Sequence, residues 1–466
     1  MGANTMNTNI PTAILQQYDV AGPRYTSYPT ADRFVEAHGE AQFIQSLEER
    51  RASARAMTSP LSLYVHIPFC ASLCYYCACN KIITGNYQKA VDYLGDIKRE
   101  IDLLLPHLGQ NQTVSQVHLG GGTPTYFKDA ELSDLMKWLQ SAFQWQVGGE
   151  YAIEVDPRTV NDERLHHLWA MGFNRLSLGI QDFDPKVQEA VHRVQSLDQV
   201  SALIDTARGI GFSSINLDLI YGLPMQTISG WDNTLESVLQ LRPERLALYG
   251  YAHLPARFKP QRHIDASVLP QAAQKTTMLT MTLERMQDAG YVYIGMDHFA
   301  LPQDSLSVAK RQGRLHRNFQ GYSTRPDGDL LGLGVSSIGS MGASYVQNAK
   351  SLDEYSDLLH QGKLPVVKGV SLTRDDLARR SIIMALMCQG RVDMADIEEA
   401  HLLNFASYFS RELIQLKAFV APGLVKLDAY SIEVTSHGWY VVRAIAMVFD
   451  KYVQTDGQRA HFSKIL

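Results

Sequence analysis

The pattern of this chain predicts an α/β architecture built on parallel strands, and three observations carry that reading. Apolar runs of strand length alternate with amphipathic helical periods from about residue 61 to residue 251. Strand and helix in alternation need crossover connections, and crossovers pair strands in parallel. The residues that end the strand runs are glycine or polar unusually often, as expected where the carboxyl ends of parallel strands carry a ligand site. After Val370 the alternation gives way to helices, which marks a change of unit. Alternation alone does not separate a closed barrel from a doubly wound sheet.

Taken in order, residues 1–59 read as an N-terminal arm. A helical period over residues 12–18 is followed by Gly22-Pro23-Arg24-Tyr25-Thr26-Ser27-Tyr28-Pro29. Two prolines bracketing aromatic residues and one arginine cannot form a helix interior, so this segment is extended and packed by its tyrosines. Strands are expected over residues 61–69, 114–119, 151–155, 176–180, 215–220 and 246–251. Helices are expected over 87–105, 129–143, 162–171, 197–210 and 228–241. Residues 255–365 combine a long helix, 271–289, with three less regular stretches: Tyr293 to Phe299, Arg317-Asn318-Phe319-Gln320-Gly321-Tyr322, and the glycine-rich Leu331 to Gly339. The last is apolar and flexible enough to line a pocket. Beyond it, helices over 373–386, 394–400 and 405–416 precede strand-like runs at 424–427 and 432–435 and a helix over 438–452. Helices followed by a small β-wing give a winged-helix-like pattern, and the near balance of acidic and basic residues favours a lid or cover over DNA binding. The chain divides accordingly into 1–59, 60–365 and 366–466.

At 466 residues the chain is too long for one ordinary core. Its 45% hydrophobic and 20% charged content are those of a soluble globular protein. A formal net charge of -5 gives no reason to expect nucleic acid. No run of about 18 apolar residues suggests a membrane span, and the N-terminus lacks the basic region and apolar core of a secretory signal. A reducing cytoplasm is the expected setting, and the absence of an amphipathic seam favours a monomer.

Four of the five cysteines lie within ten residues, Cys70-Ala71-Ser72-Leu73-Cys74-Tyr75-Tyr76-Cys77-Ala78-Cys79. Thiolates are the usual ligands of iron–sulfur clusters, and the C-x3-C-x2-C spacing lets one loop supply three of them. Three ligands on a four-iron cluster leave one iron open for a substrate or cofactor. Structural zinc usually takes its cysteines in two separated pairs, and a disulfide suits neither so dense a cluster nor a reducing compartment. The fifth cysteine, Cys388, reads as a core thiol.

The strand ends supply the remaining candidates. Gly120-Gly121-Gly122-Thr123-Pro124-Thr125 lets backbone approach a ligand closely and can present free N–H and C=O groups, although a tight turn would explain the glycines equally well. It lacks the dinucleotide-binding spacing. Glu154 could accept hydrogen bonds from ribose hydroxyls, or cap a helix. Gly179-Ile180-Gln181-Asp182 ends the fourth strand, and Arg193 beyond it could fork onto a carboxylate. Asp218, set in an apolar run, must be paired or touch a ligand. Tyr249, Tyr251 and Ala252 follow the sixth strand.

At the cysteine loop the chain resembles the radical S-adenosylmethionine (SAM) enzymes, in which C-x3-C-x2-C holds a [4Fe-4S] cluster and SAM chelates the fourth iron. The surrounding Tyr64-Val65-His66-Ile67-Pro68-Phe69-Cys70 and the added Cys79 narrow the resemblance to the oxygen-independent coproporphyrinogen III oxidases of haem biosynthesis. Related haem chaperones typically carry an aromatic residue where Cys79 stands. The resemblance implies a partial (β/α)6 radical SAM barrel with an N-terminal arm and a mainly helical, winged-helix-like C-terminal domain. It implies that Cys70, Cys74 and Cys77 hold the cluster and that Cys79 lies beside it. Tyr64, Gly121, Glu154 and Ile338 match positions around one SAM; Tyr76, Gly122, Thr123, Gln181, Arg193, Asp218 and Ala252 match positions around a second. The implied reaction turns two propionates of coproporphyrinogen III into vinyl groups, with electrons from a donor such as flavodoxin or ferredoxin. A haem-binding chaperone without decarboxylase activity is the alternative within the superfamily, and a zinc-stabilised regulatory protein the alternative outside it.

Overall fold

The computed structural model describes residues 14, 17, 18, 20–54, 58–325, 328–456, 462 and 464. They form two compact units that do not follow chain order. One comprises residues 33–271 and 328–371, the other residues 1–32, 272–327 and 372–466.

In the first unit, strands β1 (Leu61–Ile67), β2 (Thr113–Gly121), β3 (Gln144–Val155), β4 (Arg175–Gln181), β5 (Ser214–Tyr221) and β6 (Arg245–Gly250) lie side by side in that order, all parallel. Between them run α1 (Gln88–Leu108), α2 (Asp129–Ala142), α3 (Asp162–Ala170), α4 (Leu197–Ile210) and α5 (Ile228–Leu241). The expected alternation is therefore the observed one. Leu61, Leu63, Val65 and Ile67 on one face of β1 are fully buried, and Ser62 and His66 on the other are buried too, as a parallel strand covered on both faces requires. Helix α1 turns Tyr93, Leu94, Ile97, Ile101, Leu104 and Leu108 inward, the apolar stripe of a 3.6-residue period. Helix α4 starts where the Ser196 side chain accepts the Gln199 N–H and stops at Gly211, whose φ of +116° is cheap only for glycine. Among the described residues β1 pairs with β2 but not with β6, so these strands form a partial barrel.

On its other side β1 pairs in parallel with β7 (Leu330–Leu333), and β8 (Ile338–Met341), β9 (Ser344–Asn348) and β10 (Val366–Ser371) extend the sheet antiparallel. The glycine-rich stretch expected as a flexible pocket lining is thus two strands and their turn. Glycine hides it from pattern reading and yet the strand needs it: a Cβ on Gly332 would stand 2.7 Å from the Ile338 carbonyl oxygen.

Glu100 of α1 holds the turn between β7 and β8. It is 2% exposed and accepts the Gly334 N–H at 2.7 Å, the Asn348 side-chain amide at 2.7 Å and the Tyr355 hydroxyl at 2.6 Å. Beside it the Tyr93 hydroxyl donates to the His66 carbonyl at 2.6 Å and accepts the Val335 N–H at 2.9 Å, so the same turn is tied to the end of β1. Burial pushes the Glu100 carboxyl up to about 7 despite these bonds. A carboxyl raised in the folded state binds more protons folded than unfolded between the two pKa values, so its contribution to stability falls as pH rises through that window and is flat above it. The apparent Tm of the wild type should therefore drop more between about pH 4.5 and pH 7 than that of Glu100→Gln, whose side chain cannot titrate. Parallel Tm–pH curves would remove Glu100 as the cause.

The second unit carries a three-stranded antiparallel sheet in the order Arg391–Asp393, Ser431–Val434, Val425–Leu427, with helices Arg374–Gln389, Met394–His401 and Ser410–Val420. The expected helix over 405–416 divides at Phe409. The one expected over 438–452 is a 3-10 turn followed by Val442–Met447 and then Lys451–Asp456. Strand Arg391–Asp393 has no sequence signal, being three residues that begin directly after Gly390. The arm segment is packed as expected, with Tyr25 and Tyr28 fully buried and the Tyr25 hydroxyl 3.0 Å from Asp450 Oδ2, but it is not extended throughout, since Tyr25 takes a φ of +46° and residues 26–29 bend. Of the helix expected over 12–18, residues 12, 13, 15 and 16 lie outside the described residues.

Candidate active site

The carboxyl ends of the parallel strands surround a cavity of about 410 Å³, and Cys70, Cys74, Cys77 and Cys79 all reach it. Their loop leaves β1 through Phe69–Cys70, which pairs with Ile82–Ile83 and so closes the loop at its base. Phe69 is fully buried, with its ring 5.5 Å from Tyr93 and 5.7 Å from Tyr126. The glycine loop after β2 is stitched onto the cysteine loop. Gly122 N–H donates to the Ile67 carbonyl and Thr123 N–H to the Phe69 carbonyl, both at 2.8 Å. No side chain fits between them, since a Cβ on Gly122 would meet the Pro68 carbonyl oxygen at 2.5 Å.

Each sulfur sits in its own surroundings. Cys70 Sγ accepts the Thr123 hydroxyl at 3.4 Å. Cys74 Sγ faces Arg193 Nη1 at 3.5 Å and Arg158 Nη2 at 3.8 Å, and Asp156 lies between the two guanidiniums at 3.1 and 2.7 Å. Burial pushes the Cys70 thiol up to about 11, whereas the Cys79 thiol, then Lys81, bring Cys77 down to about 6 against its own burial. Asp156 and Arg158 were not among the sequence candidates. Arg158 lies two residues beyond its Asp156 partner in the turn after β3, and nothing in its spacing points to Cys74, 84 positions earlier.

Across the cavity, Glu154 accepts from His118 Nε2 at 3.0 Å and from the Gly121 N–H at 3.1 Å. Burial opposes its charge, but these bonds and the neighbouring imidazole hold its carboxyl below the usual range. Asp218 accepts Asn216 Nδ2 at 2.9 Å and the Ser177 hydroxyl at 3.2 Å, and burial, then the charge of Glu154, push it up to about 6. Tyr76, Gly121, Gly122, Thr123, Gln181 and Arg193 complete the gathering of expected residues on this cavity. Three expected residues are not on its wall. Tyr64 bonds His66 Nδ1 at 3.0 Å and stacks on His118, so it backs the residue that orients Glu154. The Ala252 carbonyl accepts Gln261 Nε2 at 3.2 Å, and the same amide reaches the Tyr76 carbonyl at 3.2 Å. Ile338 opens β8, its carbonyl against Gly332.

Residues 64–238 match the model of the radical SAM superfamily, and residues 372–441 match that of the HemN C-terminal domain. The oxygen-independent coproporphyrinogen III oxidase of Escherichia coli is 47% identical over 454 residues, 97% of this chain and 98% of that protein. Its counterpart from Pseudomonas aeruginosa is 45% identical over 455 residues, with the same coverage. This chain belongs to the oxygen-independent coproporphyrinogen III oxidase family. A solved structure, that of the Escherichia coli coproporphyrinogen III oxidase described as a radical SAM enzyme, superposes with a TM-score of 0.90 at 46% identity, over 95% of this chain and 99% of that one.

A radical SAM protein holds a [4Fe-4S] cluster and SAM, and the cavity suits both. Among the described residues no three His, Cys, Asp or Glu side chains converge on a single ion. Three thiols spread around one cavity instead suit a polynuclear cluster, whose ligands stand at separate corners. The backbone of Gly121 and Gly122 on the cavity wall and the acceptors of Glu154 and Asp218 suit the amino-acid and ribose parts of SAM.

Proposed function

We infer that this chain carries out the oxygen-independent oxidative decarboxylation of two propionate side chains of coproporphyrinogen III, giving the vinyl groups of protoporphyrinogen IX. The observation that carries the reading is the set of three thiols around one cavity with the Gly121–Thr123 loop and Glu154, in a chain that matches the oxidases along nearly their whole length. What the cluster and SAM supply when bound is a carbon-centred radical able to take a hydrogen from an unactivated propionate carbon, which side-chain acids and bases cannot do.

The chain's own residues place these groups. Cys70, Cys74 and Cys77 hold the cluster, and the exposed Cys79 stands beside it. Gly121 and Glu154, with support from Tyr64 through His66 and His118, serve one SAM. Tyr76, Gly122, Thr123, Gln181, Arg193 and Asp218 serve a second, with Ala252 positioned through Gln261. Gly179 lets Arg193 lie across its carbonyl at 2.6 Å, which orients the guanidinium between Asp156 and Cys74. Ile338 contributes backbone from β8. A one-electron donor such as flavodoxin or ferredoxin supplies the reducing equivalents, and the chain works as a monomer.

The test is an anaerobic incubation of cluster-loaded protein with SAM, a reductant and coproporphyrinogen III. Protoporphyrin and 5′-deoxyadenosine should form together, and equilibrium dialysis of labelled SAM should approach two per chain. Deoxyadenosine without protoporphyrin would retain the superfamily and reject this substrate.

A further inference from the structure

Tyr75 stands between Cys74 and Cys77 in the chain, yet it is not on the cavity wall that Cys74, Tyr76 and Cys77 line. Its half-buried ring lies between two imidazoles, stacked on His263 with centroids 4.7 Å apart and on His192 at 5.3 Å. Hydrogen bonds fix both neighbours to the same loop. The Tyr75 N–H donates to the Val191 carbonyl at 3.1 Å, and His192 Nδ1 bonds the Leu73 carbonyl at 2.8 Å. On the other side the buried Gln261 donates its amide to the Tyr76 carbonyl at 3.2 Å and accepts the Leu254 N–H at 2.5 Å. His192 and His263 are exposed, so the cysteine loop comes to the surface at this stack.

The segment that carries His263 is cationic, in a chain whose formal net charge is -5. Between Glu244 and Asp265 there is no acidic residue, whereas Arg257, Lys259 and Arg262 all fall there. Lys259–His263 form a 3-10 turn. Residues three apart eclipse in that geometry, so Lys259 and Arg262 share one face, and a rise of about 2 Å per residue keeps both within about 8 Å of His263 along the axis. Arg257, Lys259 and Arg262 are exposed, and among the described residues none of them enters an ion pair. Arg262 donates only to the Pro255 carbonyl, at 3.1 Å. The acid that follows, Asp265, is engaged in capping the next turn, where it accepts the Ser267 N–H at 2.9 Å. Lys186 and Glu189, on the helix before His192, cancel.

We propose that this turn and the Tyr75 stack are the docking surface of a small acidic one-electron carrier protein. The assignment rests on the proposed function for the need of an outside electron donor. Electron transfer weakens steeply with distance, and SAM and substrate take the cavity side of the cysteine loop. The carrier therefore approaches from outside, where the loop reaches the surface. One peptide bond joins Tyr75 to Cys74, and a single residue separates it from Cys77. One electron leaves the carrier and one enters the cluster, with no bond made or broken. Encounters of this kind bury little area and are steered by charge. The unpaired cations of the turn supply the steering field, and Leu254, 41% exposed beside Gln261, adds an apolar contact.

The experiment compares cluster-loaded wild type, Lys259→Glu and Arg262→Glu, kept anaerobic with SAM and a strongly acidic flavodoxin. Two quantities are read: the Kd for oxidised flavodoxin by isothermal titration calorimetry, and the rate of 5′-deoxyadenosine formation with limiting reduced flavodoxin. At about 10 mM ionic strength, where charges act over about 30 Å, each reversal should weaken binding and slow the rate by roughly tenfold. At about 1 M salt the three proteins should converge, because the Debye length falls to about 3 Å. Photoreduction by 5-deazariboflavin, small and uncharged, should serve all three alike, and coproporphyrin III should bind them equally in a fluorescence titration. Equal flavodoxin affinity and rate in all three proteins at low salt would overturn the docking surface. So would an equal loss with 5-deazariboflavin, which marks a damaged cysteine loop, or weaker coproporphyrin binding, which assigns the turn to substrate carboxylates. Salt-sensitive flavodoxin binding and deoxyadenosine formation without protoporphyrin would instead overturn the proposed reaction and leave the surface standing.

Discussion

Cys74→Ala should abolish both the visible absorbance of the cluster and all formation of 5′-deoxyadenosine. Its sulfur is the one that two cationic donors address, Arg193 at 3.5 Å and Arg158 at 3.8 Å, and Asp156 holds both in place. Removing it takes away a proposed ligand and leaves the two guanidiniums with Asp156 but without the sulfur they address. The remaining thiols cannot compensate from within the same loop. Cys79 acts on Cys77 instead, whose thiol it brings down. Cys79→Ala should accordingly keep the absorbance and the iron and sulfide content per chain while changing turnover. Iron and sulfide analysis of both variants, loaded anaerobically in parallel, decides the matter. A bleached Cys79→Ala protein would mean that the ligand set includes Cys79.

The barrel was readable because parallel strands buried on both faces leave continuous apolar runs, and the helices between them leave a 3.6-residue period. Those signals are local, and the six strands and five helices stand where the signals lie. The cysteine loop and Gly121–Thr123 were readable for the same reason, each being a short unbroken motif. What escaped was set by distant partners. Strand β7 has four residues with a glycine among them, and it is a strand because β1 offers it an edge. Arg158 acts on a sulfur 84 positions away, and Arg317 on a backbone carbonyl 293 positions away. Tyr64 stands at a position the resemblance puts beside a SAM and yet lies behind the cavity wall, because β1 places it level with His118 of β2. It meets the site through His66 and His118, and His118 in turn bonds Glu154.

Gly122→Ala should lose the cluster almost as completely as Cys74→Ala does, although it removes no ligand. The added Cβ would lie 2.5 Å from the Pro68 carbonyl oxygen, 2.6 Å from its carbon and 2.8 Å from the Phe69 carbonyl oxygen. All three are backbone atoms, so no rotamer change relieves the contact. Relief requires the glycine loop and the cysteine loop to part, and they are joined by the Gly122 to Ile67 and Thr123 to Phe69 hydrogen bonds. Overpacking costs about 1–3 kcal/mol and each strained backbone bond about 1 kcal/mol more, so a stability loss of roughly 2–4 kcal/mol is expected, concentrated at the neck of the cluster loop. Gly85→Ala is the matched control, since a Cβ there meets nothing within 4 Å. It should load a full cluster and retain the wild-type Tm. The two variants separate a steric requirement at one junction from a general intolerance of side chains near the cysteines, by iron content, apparent Tm and the rate of 5′-deoxyadenosine formation. If Gly122→Ala loads iron and turns over like wild type, the two loops are not interlocked, and the cysteines must owe their placement to the Phe69 packing and the Ile82–Ile83 pairing alone.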